Sequence, residues 1–350
     1  MIEIDGSFGE GGGQILRTAL SLSCLLQKPF EIINIRKNRK KPGLMPQHLV
    51  CVEAAQRISG ARVEGGEKGS TRLSFSPGRV KGGEYVFDIG TAGSTSLVAQ
   101  TVVPALLFAG RRSSITLRGG THVPFSPPFH YLSEVFAPLL EKMGIMVRFS
   151  LVSCGFYPRG GGEIHAEVFP AGEILPVHMT KRGTITAVRG YSGVGNLPLS
   201  IAERQRSVVL EKVQSLEGMP SPVTIELLEA PTPGQGTFVF LLVEAEQTRA
   251  GFSSIGEKGK RAEIVGGEAA DELIRYYQGH AALDQHMADQ IVLYMALCKG
   301  ESTFTTACIT EHLLTNLWVI RRFLPVRSEV VGERGEKGDV TVYPALYAPV

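Results

Sequence analysis

No apolar run in this 350-residue chain approaches the roughly 18 residues that a membrane span needs. No signal peptide is expected either, because "MIEIDGSFGEGGGQ" reads as a strand and a glycine turn. An excess of one charge is also missing. The formal net charge is +2, so no global field gathers nucleic acid, and any polyanion site must come from local clustering. The five cysteines, Cys24, Cys51, Cys154, Cys298 and Cys308, form no CxxC pair. Each lies in or near an apolar run, which points to buried thiols in a reducing cytosol and predicts a cytoplasmic protein.

Common nucleotide and metal signatures are absent too. "GEGGGQ", "GTAGST" and "PRGGGE" are glycine-dense, but none fits the dinucleotide fingerprint. The one Gly-Lys pair is Gly259-Lys260, and Ser254 stands where a P-loop requires its first glycine. The one Asp-Gly pair, Asp5-Gly6, lacks the lysine of a KxDG adenylation motif. No HExxH occurs.

What is present suits a folded α/β protein. Hydrophobic residues make up 43% and charged residues 20%, enough for a sizeable core. A weak repeat organises the chain. Residues 2–26 read as a strand ending in Asp5, a glycine turn and an apolar helix, and residues 85–109 do the same with Asp88 and "GTAGST". Each is followed by a strand, a second amphipathic helix and two more strands, giving a βαβαββ module. A third copy begins near Pro176 and resumes with "DQHMADQIVLYMALC", "STFTT" and "EHLLTNLWVIRRFL". Between its two parts lies a strand–helix–strand–strand–helix pattern, a small α/β domain inserted at a loop. The predicted division is a large domain of 1–182 with 281–350, in repeats of about 1–80, 81–172 and 173–182 plus 281–350, and an insert of 183–280.

Three stretches could carry chemistry. "IRKNRKKPGLMPQHL" packs Arg36, Lys37, Arg39, Lys40 and Lys41 ahead of Gln47 and His48. It reads equally as a solvated loop or as a polyphosphate or RNA-backbone site. In "DQHMADQ", His286, Asp289 and Gln290 share one helix face. Pattern alone favours solvated first-turn residues. In "ITEHLLTN", Thr310 is a helix cap that places His312 at the second helical position. The positive end of the helix dipole keeps such an imidazole neutral, and so nucleophilic. Pattern alone still favours the plainer reading, a polar residue at a helix start.

Taken together, "GEGGGQILRTALSLS", "RKNRKKPGLMPQHL", "GTAGSTSLVAQTVVPAL", "GGTHVPFSPPF", "GFYPRGGGE", "SIGEKGKRAE", "HMADQIVLYMAL" and "EHLLTNLWVIRRFLP" resemble the RNA 3′-terminal phosphate cyclase family, in order and over nearly the whole chain. The resemblance implies three βαβαββ repeats with a thioredoxin-like insert in the third. It also implies a reaction. ATP adenylylates an enzyme histidine, AMP passes to an RNA 3′-phosphate, and the 2′-hydroxyl expels AMP to leave a 2′,3′-cyclic phosphate. His312 matches the family's nucleophile. Glu10 matches a carboxylate contacting Mg²⁺ or Mn²⁺. Arg17, Gln100, Pro127, Phe252, Asp289 and Gln290 match nucleotide-binding positions, with adenine packing on Pro127. Arg36, Arg39, Gln47 and His48 match polar positions assigned here to the RNA substrate. His286 stands where the bacterial family commonly has a purine-stacking tyrosine, which puts nucleotide affinity and base preference in question.

Two other classes remain to be weighed. A cyclase-like ribosome-assembly scaffold shares the fold, but His312 with Glu10, Gln100 and Asp289 argues against it. Enolpyruvyl transferases also use βαβαββ modules, but in two halves too large for this chain with its insert. Oligomeric state stays open, a homodimer included.

Overall fold

The computed structural model describes residues 1–344; residues 345–350, assigned above to the large domain, lie outside the described residues. The fold is α/β. Strand alternation sets the first layer: in "FEII" Phe30 and Ile32 point inward, and Glu31 and Ile33 are half-exposed. The first sheet holds β1 (Ile2–Asp5), β2 (Phe30–Ile33), β3 (Arg62–Glu64) and β4 (Leu73–Ser76), with helices α1 (Gly13–Leu26) and α2 (Pro46–Ser59) between strands. Its order is β1-β2-β4-β3, and the β1–β2 pair joined through α1 is parallel.

The second sheet holds β5 (Glu84–Asp88), β6 (Ser113–Gly119), β7 (Val147–Ser153) and β8 (Gly162–Val168) in the order β5-β6-β8-β7. Its helices are α3 (Thr95–Leu106), and α4 (Phe129–Tyr131) continued through a π-helical segment, Leu132–Phe136, into α5 (Ala137–Lys142). The next strand, β9 (His178–Met179), is followed by β10 (Ile185–Gly195), α6 (Leu199–Gln214), β11 (Thr224–Glu229), β12 (Gly236–Ala245), β13 (Arg249–Ile255) and α7 (Ala262–Gly279). Strands β10–β13 form a separate sheet in the order β11-β10-β12-β13, with α6 and α7 packed together against it. The chain then runs through α8 (Gln285–Met295), β14 (Ser302–Thr306), α9 (Glu311–Phe323), β15 (Arg327–Val331) and β16 (Gly338–Tyr343). These complete a sheet ordered β9-β14-β16-β15. Three sheets thus share one connectivity, each with its fourth strand inserted between the second and third.

Helix α1 is apolar on most of its surface, and it packs against α2, α3 and α9. One continuous core runs from Ile4 through Leu140 to Val342, and a second core of Val209, Val239, Leu241 and Leu273 serves the β10–β13 sheet. The pattern reading missed β13, because "RAGFSSI" lacks the β-branched alternation of an ordinary strand. Its small residues have a packing reason. A Cβ on Gly251 would come within 2.8 Å of Tyr131 and Val135, so glycine lets the strand lie directly on the π-helical segment.

The sheets meet at Asp284, which is 1% exposed. Its Oδ1 accepts the backbone N–H groups of His286 and Met287, both at 2.9 Å, and so caps α8. The same oxygen accepts the Tyr131 hydroxyl at 2.8 Å, and Oδ2 accepts Gly251 N–H at 3.3 Å. Asp284→Ala therefore removes a helix cap and strands two further buried donors, at a cost of about 3 kcal/mol. Denaturant unfolding should show this loss, with Asp284→Asn retaining part of it; equal midpoints for wild type and alanine variant would refute the junction.

Candidate active site

A cavity of about 690 Å³ opens between α1, the loop before α2, residues 123–128, β13 with α7, and the starts of α8 and α9. It lies within the size range of small-molecule sites. Glu10, Arg17, Arg36, Arg39, Gln47, His48, Gln100, Pro127, His286, Asp289, Gln290 and His312 all line it. Phe252 does not. Its side chain is 4% exposed and packs on Tyr276, 5.3 Å between ring centroids, in the core of the β10–β13 sheet. Alternation along β13 turns the flanking Gly251 and Ser253 to the cavity instead. Phe252 thus supports this wall from behind.

His312 stands at the second position of α9, whose cap Thr310 accepts the Leu313 N–H at 3.0 Å. Its side chain is 46% exposed. Nδ1 lies 3.0 Å from the Glu10 carboxylate and donates to Gln14 Oε1, while Gln14 Nε2 donates back to the His312 carbonyl at 3.4 Å. This arrangement places the ring proton on Nδ1. It leaves the Nε2 lone pair without a protein partner among the described residues, facing a cavity. Burial lowers the His312 pKa, and Arg17, His286 and Arg39 push the same way, with Glu10 opposing them. The imidazole is therefore neutral near pH 7. Gln14 is a residue that pattern reading overlooked; its only signal was its place directly after the glycines of "GEGGGQ".

Anion-binding groups surround this imidazole. Helix α1 starts at Gly12 with no side-chain cap and no acid in its first turn, so its leading N–H groups are free to take an anion. Arg17 lines the cavity with no carboxylate within 4.0 Å among the described residues. His48 is buried, and burial beside Arg17 and Arg36 pushes its pKa down to about 3. Its Nδ1 accepts the Met45 N–H at 3.1 Å and so caps α2. A Cβ on Gly13 would strike its ring. The basic loop is only partly free. Arg36 spends Nη1 on the carbonyls of Lys41 at 2.7 Å and Gly43 at 3.0 Å, and Arg39 is ion-paired to Glu10.

The far wall differs. Asp289 is half-buried, and burial near Asp284 pushes its carboxyl well above the usual range, with Arg17 opposing. The solvated reading of "DQHMADQ" is thus corrected for Asp289, while His286 is exposed. Gln290 donates to the His286 carbonyl at 2.7 Å and accepts from Gln100. Asn316 accepts the Thr18 hydroxyl at 2.7 Å and donates to the Asp289 carbonyl, tying α1, α8 and α9 together. Glu257, Lys260, Glu268 and Glu272 line the wall supplied by the β10–β13 sheet and its loops, with Lys260 paired to Glu268. Residues 123–128 are held from below by His122 and His130, whose Nε2 and Nδ1 lie 3.1 Å apart, with the His122 ring 4.2 Å from that of Phe238.

A neutral, oriented imidazole facing open helix N–H groups and an unpaired arginine is suited to nucleophilic transfer of a phosphorus group. Comparison with known proteins bears directly on this class. The model of the RNA 3′-terminal phosphate cyclase family matches residues 8–330. A protein of that name from Methanopyrus kandleri is 44% identical over 348 residues, covering 98% of this chain and 99% of its own. Another from Pyrobaculum aerophilum is 43% identical over 335 residues, covering 95% and 96%, and one from Ralstonia nicotianae is 45% identical over 334 residues, covering 95% and 94%. The chain belongs to the RNA 3′-terminal phosphate cyclase family, and is an enzyme.

The titration of His312 tests the site without reference to substrate. By NMR, its midpoint should fall below the ordinary value of about 6.5. Glu10 raises the pKa, so Glu10→Gln should move the midpoint lower still. A midpoint at or above the ordinary value in wild type would contradict the burial and contacts described here.

Proposed function

We propose that the protein uses ATP to convert an RNA 3′-phosphate into a 2′,3′-cyclic phosphodiester, through enzyme–histidinyl-AMP and RNA(3′)pp(5′)A intermediates. The observation that carries this reading is the His312 imidazole, with Nδ1 held by Gln14 and Glu10 and Nε2 unpartnered beside the open start of α1. Nε2 attacks the α-phosphorus of ATP. A phosphorus–nitrogen bond forms, the α–β phosphoanhydride breaks, and pyrophosphate leaves. Positive charge develops on the ring, and the Glu10 carboxylate and Gln14 carbonyl beside Nδ1–H stabilise it. An oxygen of the RNA 3′-phosphate then attacks the same phosphorus and releases neutral His312. Finally the 2′-hydroxyl attacks the 3′-phosphorus, loses its proton, and AMP departs with the bridging oxygen.

Arg17 and the N–H groups of α1 take the phosphates in this reading, Pro127 and His286 flank adenine, and Gln100, Asp289 and Gln290 complete the nucleotide pocket. Arg36, Gln47 and His48 serve the RNA end. Arg39 is bound to Glu10, so it serves the histidine's carboxylate and not an RNA phosphate alone. A divalent cation, Mg²⁺ or Mn²⁺, would be held chiefly by the triphosphate, with Glu10 the one protein carboxylate assigned to it. Glu10 is the carboxylate beside His312, and no group of three or more His, Cys, Asp or Glu that could hold a metal occurs among the described residues. Such an ion would supply charge neutralisation. The same reading divides the chain into a large domain, 1–182 with 281–350, and an insert, 183–280, that closes one wall of the cavity. No described helix is long and apolar enough to cross a membrane.

Label from α-labelled ATP, but not γ-labelled ATP, should become bound to the chain through an acid-labile phosphoramidate. His312→Ala and His312→Asn should form no adduct; labelling of either at the wild-type rate would remove His312 from the reaction. His286→Tyr should hold ATP at least as tightly as wild type, since base stacking on an aromatic is worth roughly 1–3 kcal/mol. Clearly weaker binding by the tyrosine variant in a titration would exclude His286 as a stacking surface.

A further inference from the structure

Phe125 is an anomaly that neither packing nor stability explains. Its side chain is fully exposed, the most exposed large apolar side chain among the described residues. Its backbone sits at φ +61°, a conformation that a bulky L-residue adopts only at a cost. It lies between Pro124 and the Ser126-Pro127-Pro128 run, and the Ser126 hydroxyl donates to the Val123 carbonyl at 3.1 Å, closing the turn. The paired imidazoles His122 and His130 hold the segment at both ends. A strained, braced turn therefore presents an aromatic ring to solvent at the rim of the catalytic cavity, which Phe125 lines.

We propose that Phe125 is the stacking platform for the terminal nucleobase of the RNA, a substrate-positioning residue; this rests on the reading of the substrate as a 3′-phosphorylated RNA. The two candidate bases differ in where they must lie. The adenine of ATP belongs to a small ligand that such cavities largely enclose. RNA is a polymer that must leave through the mouth, with only its terminal phosphate reaching the centre beside His312. Its last base is then left at the rim, where a fully exposed ring can meet it face to face. Stacking on phenylalanine accepts every base, because each has a π-face. The ring would thus hold any 3′ end in place without selecting its sequence.

The experiment compares cyclisation of two 3′-phosphorylated oligoribonucleotides at saturating ATP. One has an intact terminal nucleoside, and the other carries an abasic terminal ribose with its 2′-hydroxyl. On the intact oligonucleotide, Phe125→Ala should raise KM by roughly 5- to 160-fold, the span of single base–aromatic stacks, and Phe125→Trp should leave KM equal or lower. On the abasic oligonucleotide the wild-type KM should itself rise, and Phe125→Ala should add less than about twofold. An unchanged KM for Phe125→Ala on the intact oligonucleotide overturns the proposal, as does an equal rise on both substrates. A rise in the KM for ATP during enzyme–AMP formation would assign the ring to adenine and also overturn it. Failure of the wild-type protein to cyclise the intact oligonucleotide would bring down the functional reading, and this inference with it.

Discussion

The arrangement depends on one buried carboxylate. Asp284 accepts four hydrogen bonds: two from the first turn of α8, one from Tyr131 beside the π-helical segment, and one from Gly251 of β13. Buried polar oxygens are normally matched by donors in this way. These bonds fix where α8 begins. From that start follow the positions of His286, Asp289 and Gln290 on the cavity wall. They also bind β13 to α4 and the π-helical segment that follows it, which fixes the wall that β13 presents to the cavity.

The opposite wall is assembled from residues far apart in sequence. Gln14 and His312 are separated by 298 positions, as are Thr18 and Asn316. Both pairs bridge α1 and α9, which pack side by side. A shift of α9 along α1 would break both contacts together. The His312 imidazole is therefore oriented by helix packing, and the hydrogen bonds read out that packing at its ring. Arg39 extends the chain of contacts, since its partner Glu10 is also the carboxylate nearest His312.

What could be read from the sequence was local. The glycine turns, helix periodicities and Thr310 cap were legible because each depends on a few neighbouring residues, and they placed His312 correctly at the second position of α9. The contacts that orient its ring were not legible, since Gln14 meets it only through tertiary packing. Asp289 looks solvated near a helix start, and its partial burial arises only in the packed structure. The face that Phe252 takes was not legible for a different reason. Period-two alternation decides which face a side chain takes, and "RAGFSSI" carries no alternation by which its core face could be recognised. Gly251 and Ser253 were thus invisible as cavity residues, while Phe252 was named only through the family resemblance.

The small net charge of +2 is compatible with a polyphosphate site because the cavity itself is polarised. Helices α1, α8 and α9 all begin at it; α1 carries no acid in its first turn, whereas the start of α8 is already capped by Asp284. In α9 the first-turn Glu311 is neutralised by Arg334 at 2.7 Å. Arg17 and Arg36 add positive charge to that side, and Glu257, Glu268 and Glu272 place negative charge on the other, where Lys260 offsets only one of them. On the proposed reading this polarity orients ATP before any specific contact is made. Phosphates are drawn towards α1 and His312 and repelled by the acidic wall, which can still accept hydrogen bonds from ribose and base. Opposed local fields thus direct the α-phosphorus to the unpartnered Nε2, with almost no contribution from the charge of the whole molecule.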